Sequence, residues 1–193
     1  EKALNENPEY VAARDRLQRF LKASGLDDAA QTIEMSNVKA RAAAQMGILA
    51  SLDPKQIVGA ETVMWGRHNN VSTTGVADLM YTSERERADG TSRKVLNVLD
   101  YKNTSRGTFS VQDMTQVLHY IADLKALQQD INNNPEISTA DYLHGDSVFM
   151  KRWKESIDYQ AGKLPEEERE QFLAEQLGKL ANTIDALRGD TAI

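Results

Sequence analysis

The 193-residue chain contains no cysteine. Disulfide bonds, thiolate metal sites and catalysis by a cysteine nucleophile are therefore excluded. The absence fits a cytoplasmic working environment, which we expect for this protein. Long apolar runs are also missing: none approaches the 18 residues or so of a spanning helix, and the first residues carry no signal-peptide pattern. We expect no membrane partner. The start at Glu1, and not at a Met, is compatible with a larger parent chain.

The chain also lacks a basic excess, because it has 23 Lys and Arg residues and 29 Asp and Glu residues, for a formal net charge of −6. Nucleic-acid-binding domains usually carry a basic excess, so the overall balance gives such a function no support. Acids at a metal site and on exposed helices would give the same negative net charge even in a protein that has a local basic groove. Net charge alone therefore does not exclude a nucleic-acid partner.

Hydrophobic periodicity predicts helices near both ends of the chain and strands between them. Apolar spacing predicts a helix over residues 8–24 and a second from Asp27 or Asp28 to Leu52, which the polar pair at 36–37 tends to break. Apolar, β-branched runs predict strands over residues 57–65, 75–82 and 94–102. Turns are expected over 66–70 and at Asp89-Gly90, a strong hairpin dipeptide.

The remaining third of the chain is mostly helical in pattern. Residues 111–130 form the clearest helix, which Ser110 can cap, and its predicted buried stripe is Val111, Met114, Val117, Leu118, Ile121, Leu124 and Leu127. Residues 137–143 are ambiguous, with a fourth strand as one option. Helices follow over 147–161 and from Pro165 to the glycine at 189.

This order predicts an α/β (α+β) fold with one mixed sheet, whose core is a three-stranded meander flanked by helices. Consecutive strands joined by short turns pair most economically as antiparallel neighbours. A length of 193 residues suits one well-cored domain. We therefore predict a single domain over residues 1–193, with N-terminal helices over 1–53, the sheet and long helix over 57–130, and a mostly helical extension over 131–193.

Three polar residues in or at the end of the predicted strands could carry chemistry. Asp78 lies among apolar neighbours, where an unpartnered carboxylate would cost about 2–7 kcal/mol, so it needs a cation or a hydrogen-bond network. Asp100 and Lys102 share one face of the third strand. If the strands are adjacent, Asp78 and Asp100 converge as Mg²⁺ or Mn²⁺ requires. Considered singly, an acid and an amine so placed are more often an exposed salt bridge.

Taken together, three short motifs resemble those of the PD-(D/E)XK nuclease superfamily, in its RecB-like branch. They are Gly75-Val76-Ala77-Asp78, Asp100-Tyr101-Lys102 and the Q-x-x-x-Y element from Gln116 to Tyr120, and Glu61 resembles an acid often found on the first strand. The resemblance covers about residues 33–125. It implies a restriction-endonuclease-like fold and a metal-dependent nuclease that hydrolyses phosphodiester bonds, with DNA expected, by a metal-activated water.

The resemblance also implies a role for each matching residue. Asp78 and Asp100, with the Tyr101 carbonyl, would bind Mg²⁺ or Mn²⁺, and Lys102 would position or activate the attacking water. Gln116 and Tyr120 would brace the site or contact the nucleic-acid backbone. Their alternative is a polar rim on a core helix.

The sequence departs from the family pattern in two places. The histidine expected on the helix before the first strand is absent, with Glu34 or Gln45 as stand-ins. Asn103 follows Lys102 where Thr-Gly is frequent. A surface role is predicted for His68, a structural or exposed one for His119, and a loop position for His144. The site implied by the resemblance could therefore be complete, hold one metal, or be inactive.

Phosphate contacts could come from basic residues spread over two regions, namely Lys94, Arg106, Lys151, Arg152 and Lys154. Trp153 lies among them as a candidate stacking surface, although a core position is the commoner role for such a residue.

Three other interpretations remain open. One is an inactive member that binds nucleic acid or serves as an assembly module, which the missing histidine and acidic charge favour. Another is a toxin nuclease within a larger protein, neutralised by a cognate inhibitor. The third is a purely helical interaction protein that docks through the leucine-rich segment 172–187.

Overall fold

The computed structural model describes residues 8–68, 71–101 and 110–193. The chain divides into two compact units, Glu1–Asp53 and Pro54–Ile193. The first unit contains α1 (Pro8–Ala23) and α2 (Asp28–Ser51). Asp27 caps α2, since its side chain accepts a 2.8 Å hydrogen bond from the backbone N–H of Ala30. The predicted break at 36–37 is wrong, because both residues lie on the exposed face and leave the helical hydrogen bonds intact.

The second unit is a three-stranded sheet covered by helices. Its elements are a short 3₁₀ turn (Pro54–Gln56), β1 (Ile57–His68), β2 (Val71–Glu86), β3 (Ser92–Leu99), α3 (Val111–Asn133), α4 (Thr139–His144), α5 (Val148–Ala161) and α6 (Glu166–Leu187). The strand order is β1-β2-β3 and both pairings are antiparallel, which confirms the predicted meander. This is the predicted α+β class. Among the described helices, none combines the length and apolar character needed to span a bilayer.

The two hairpins differ in how well the sequence predicted them. At the β1–β2 end the ladder runs on to the pair His68–Val71, so the turn predicted over 66–70 is too long. The β-branched residues after Val71 favour extended backbone, which lengthens both strands. At the β2–β3 end the predicted turn is present, and Gly90 has a φ of +80°. Thr91 donates backbone and side-chain hydrogen bonds to the Asp89 carboxylate, which lowers the pKa of Asp89.

The core lies between the sheet and the helices α3, α5 and α6. Its largest fully enclosed side chains are Trp153, Met64, Leu79, Met80, Leu96, Leu124, Leu127, Ile131, Met150, Leu180, Ile184 and Leu187. Trp153 is only 2% exposed, so the prediction of a core tryptophan is confirmed and a stacking role is excluded. The sheet contradicts a purely helical protein, and α6 is a core helix instead of a free docking surface.

Two helix predictions need correction. Residues 139–144 form α4 and not a strand, because Ser138 accepts a hydrogen bond from the backbone N–H of Asp141 and starts a helix. On α3, the first part of the predicted buried stripe is exposed: Val111 is 82%, Met114 59% and Leu118 60% accessible. A helix presents one face to the core, and in these turns that face holds the motif residues Gln116 and Tyr120 instead.

Parts of both sheet edges are bonded by other segments of the second unit. On β3, Leu96 donates its backbone N–H to Ala192 O (2.8 Å) and Ala192 donates to Lys94 O (2.9 Å), a short parallel bridge on an otherwise antiparallel sheet. Asp190 pairs with Arg87 and Arg93, and these guanidinium groups lower the pKa of Asp190. Side chains of α6 bond to Val58, Glu61 and Val63 on the β1 edge. Edge groups that are bonded in this way are not available for pairing with other chains.

Candidate active site at the end of the sheet

The two predicted carboxylates lie on neighbouring strands. The β2–β3 ladder ends at the pair Leu79–Leu99, and Asp78 and Asp100 are the next residues on each side. Continuing the antiparallel register by one residue places these acids opposite each other. Both residues are half-buried, and Asp100 Oδ2 itself is shielded from solvent. The structure therefore brings together the acids of the G-x-x-D and D-Y-K motifs.

A direct hydrogen bond joins those two motifs. Asp78 Oδ2 accepts the backbone N–H of Tyr101, so the chain leaving β3 is held against β2. Burial, together with the nearby Asp78 and Tyr81, raises the pKa of the Tyr101 phenol. Among the described residues, no group hydrogen-bonds to the buried Tyr101 Oη. The phenol therefore remains neutral at physiological pH, and Tyr101 contributes to the site through its backbone.

The third motif packs directly behind the first. Tyr120 is 3% exposed, and its hydroxyl donates a 3.3 Å hydrogen bond to Val76 O and accepts one from Gln116 Nε2. A side chain so enclosed does not reach a nucleic-acid backbone. The bond to Val76 instead fixes the strand two residues before Asp78. This favours the bracing role predicted for Gln116 and Tyr120 over direct contact.

A steric constraint explains why the first position of the G-x-x-D motif is glycine. A Cβ added at Gly75 would lie 3.0 Å from Tyr120 Cε1 and 3.1 Å from Tyr120 Cζ, with the hydroxyl closer still. The Tyr120 ring thus occupies the space above Gly75. The first and third motifs fit together as one packed unit.

Gly75→Ala should lower the free energy of unfolding by about 1–3 kcal/mol, because the added methyl group forces the Tyr120 ring to move. Tyr120→Phe removes the closest atom, so the double variant should recover part of that loss. Urea denaturation of the parent, both single variants and the double variant measures the coupling. Strictly additive effects would show that this contact does not constrain the strand.

The donor set fits a hard divalent cation that retains several waters. Mg²⁺ is typically held by one or two carboxylates with waters completing an octahedron, and Asp78, Asp100 and the Tyr101 carbonyl are donors of that kind. In the described part of the chain, no cluster of three or more His, Cys, Asp or Glu side chains could hold a metal. These donors therefore match an open, water-rich site and do not form a complete protein cage.

The two stand-ins for the family histidine belong to a different unit from this site. Glu34 belongs to the first unit, and the Gln45 side chain lies outside the described residues. His144 ends α4 and is exposed, and His119 is half-buried on α3. The His68 side chain is also outside the description.

Among the described residues, the predicted phosphate contact on β3 stands away from the two acids. Lys102 and Arg106 lie outside the described residues, as does Asn103. Lys94 is six positions before Asp100 on β3, which corresponds to about 20 Å along an extended strand. It stands opposite Glu84, well away from the end of the ladder.

The basic residues of α5 also have other surroundings. Lys151 forms a 3.0 Å ion pair with the exposed Asp146, and Lys154 is exposed. Arg152 is half-buried and interacts electrostatically with Asp123. Such surface lysines remain available to a large polyanion only as weak, salt-sensitive contacts.

Asp123 is a buried acid that the sequence reasoning missed. It is 8% exposed and lies on α3 one turn after Tyr120. Burial raises the pKa of Asp123 to about 7, and the positive charge of Arg152 opposes that shift. The available signal was its position, three residues after Tyr120 and four before Leu127, where a helical core face normally holds an apolar residue.

Gln176 is a second buried polar residue that the sequence reasoning missed at an apolar position of a helix. It lies between Leu173 and Leu180 in the apolar stripe of α6, and it is 2% exposed. Its Oε1 accepts the backbone N–H of Val63 (3.0 Å), while its Nε2 donates to Glu61 O (2.9 Å). A glutamine at an apolar position was the signal for a buried amide with backbone partners.

We compared the chain with family models, curated proteins and solved structures, and found no match in any of the three comparisons.

Proposed function

We propose that this chain is a metal-dependent nuclease of the PD-(D/E)XK type that hydrolyses phosphodiester bonds in DNA. The observation that carries the proposal is the hydrogen bond from the Tyr101 N–H to the Asp78 carboxylate. It joins two motifs that are separated in sequence. Their acids are the residues directly beyond the last pair of the β2–β3 ladder. The packing of Tyr120 over Gly75 adds the third motif to the same place.

The residues have distinct tasks in this proposal. Asp78, Asp100 and the Tyr101 carbonyl would hold Mg²⁺ or Mn²⁺. When bound, such a cation supplies Lewis acidity and lowers the pKa of a coordinated water. Lys102 would orient the attacking water and steady negative charge on the scissile phosphate. Tyr120 and Gln116 keep the strand bearing Asp78 in place, so that the two acids stay in register.

The direct test is incubation of the protein with plasmid DNA, linear DNA and RNA in the presence of Mg²⁺, Mn²⁺ or EDTA. We expect cleavage with either metal and none with EDTA. Lys102→Ala should slow cleavage by about a hundredfold or more, since a positioned catalytic group contributes that much. Lys125→Ala, which removes an exposed charge on α3, is the matched control. Cleavage that persists in EDTA would contradict the proposal.

An inactive nucleic-acid-binding or assembly module is the second candidate. It is favoured by the formal net charge of −6 and by the absence, on the predicted helix before the first strand, of the histidine that the family pattern has there. The same incubation separates the two candidates: an inactive module would retain nucleic acid in a filter-binding assay without producing shorter fragments. Retention with no cleavage across all metals would support the module.

A further inference from the structure

The C-terminal helix α6 bonds to the free edge of β1 through side-chain amides. Gln176 bridges two backbone groups of that edge, the carbonyl of Glu61 and the N–H of Val63. Lys179 Nζ reaches the same carbonyl at 3.4 Å. Further along α6, Asn182 Nδ2 donates a 3.2 Å hydrogen bond to Val58 O. Gln176 therefore replaces, at this point, the hydrogen bonds that another strand would provide.

The bridged segment lies directly across the ladder from the candidate site. The pairs Ala60–Leu79 and Thr62–Ala77 flank it, so Glu61 stands level with Asp78. Glu61 has a φ of +48°, alone among the described residues other than glycine in having a positive φ. Such a conformation is strained for a residue with a Cβ and persists where the surroundings fix it. The buried amide of Gln176 holds the carbonyl of this strained residue.

The strand bearing Asp78 is consequently held from two sides. On one side, the Tyr120 hydroxyl bonds to Val76 O. On the other, Val63 pairs with Val76, and the N–H of Val63 is bound by Gln176. The two supports come from α3 and α6, which lie far apart in the chain.

We infer that Gln176 is a positioning residue of the candidate site. By bonding to the backbone of Glu61 and Val63 it fixes the position of β1 and, through the ladder, that of β2. It thereby sets where the Asp78 carboxylate lies relative to Asp100. The inference rests on the proposed function, because it concerns the geometry of the same two acids. It extends the site to a helix that carries none of the three motifs.

Gln176→Glu is the most informative variant, because it preserves size and shape while changing the hydrogen bonding. An ionised carboxylate still accepts from Val63 N–H but repels the Glu61 carbonyl. A protonated carboxyl again donates one bond and accepts the other. Burial raises the pKa of such a group, so lowering the pH should restore the native pattern.

The readout is Mn²⁺ affinity, measured by isothermal titration calorimetry on the full chain. At about pH 8 we expect Gln176→Glu to bind Mn²⁺ about tenfold to a hundredfold more weakly than the parent, as for other residues that orient metal ligands. At about pH 6 the ratio of variant to parent affinity should return to within about twofold. The Mn²⁺ concentration for half-maximal cleavage should follow the same pattern.

Asn182→Asp is the matched control, since it makes the same chemical change in an amide that bonds to Val58, away from Asp78. Its Mn²⁺ affinity should stay within about twofold of the parent. Equal affinities for Gln176→Glu, Asn182→Asp and the parent would overturn the inference while leaving the nuclease proposal intact. No Mn²⁺ binding by the parent would instead overturn the proposed function itself.

If Gln176→Glu does not fold at about pH 8, Gln176→Met decides the matter at neutral pH. Methionine retains the length and fills the buried space without either hydrogen bond. A folded Met variant that binds Mn²⁺ as tightly as the parent would overturn the inference, and weaker binding would support it.

Discussion

Asp100→Asn is expected to lower metal-dependent cleavage by more than about a thousandfold. A catalytic cation contributes several kcal/mol of transition-state stabilisation, and each 1.4 kcal/mol or so corresponds to a factor of ten in rate. The substitution preserves the shape of the side chain but removes the negative charge that would hold the cation beside Asp78. Because Asp100 follows the last residue of β3, the sheet itself should be unaffected.

Initial cleavage rates at saturating Mg²⁺ measure this effect, with thermal unfolding as the check on the fold. Asp158→Asn, which removes an exposed acid from α5, is the matched control and should cleave like the parent. We expect Mn²⁺ affinity to fall in parallel with the rate for Asp100→Asn alone. An Asp100→Asn variant that cleaves as fast as the parent would show that the reaction does not depend on this pair of acids.

The protein is expected to lose stability as the pH rises from about 5 to about 8, through Asp123. Its pKa is raised in the folded state to about 7, against 3.8 for an ordinary aspartate, because the side chain is buried. Between those values the folded state binds a proton that the unfolded state does not. The free energy of unfolding then falls as pH rises, by about 1.4 kcal/mol per unit at most, and levels off above the folded pKa.

Asp123→Asn should remove this dependence, because the amide carries no charge at any pH. We expect the stability advantage of the variant over the parent to grow by about 2–3 kcal/mol between pH 5 and pH 8. Arg152 is half-buried, so water can solvate its charge once the acid is gone. Urea denaturation at several pH values gives both curves, with Asp158→Asn as the control for an exposed acid. Parallel curves for parent and Asp123→Asn would show that Asp123 is not the titrating group.

Two acids whose pKa is lowered in the folded state, Asp89 and Asp190, do not titrate in this pH range. Thr91 lowers the pKa of Asp89, and Arg87 and Arg93 lower that of Asp190. A carboxylate with a lowered folded pKa stabilises the fold above its unfolded pKa and loses that contribution only in stronger acid. Both acids therefore remain ionised between about pH 5 and pH 8, and neither contributes to the slope in that interval.

Local sequence signals were sufficient for most of the elements. Ser110, the predicted cap of α3, forms a capping box with Asp113, and Gly90 takes the positive φ of the predicted hairpin. Such signals act over three or four residues and need no tertiary contact to be effective. The errors arose where packing decides. Which face of α3 is buried depends on the sheet beneath it, and the apolar residues Met114 and Leu118 gave no indication that Tyr120 would face inward.

For the candidate site, the sequence by itself determined the acids, the order of the three motifs and two of the strands: β2, which carries Asp78, and β3, which Asp100 directly follows. The tertiary structure decided how they combine: the antiparallel register set Asp78 beside Asp100, and the Tyr120 ring took the space that Gly75 leaves open. It also buried Asp123 on the core face of α3 and gave Gln176 its two backbone partners on β1. Their roles come from burial and from partners distant in the chain, and those depend on how helices pack, which spacing along one chain does not encode.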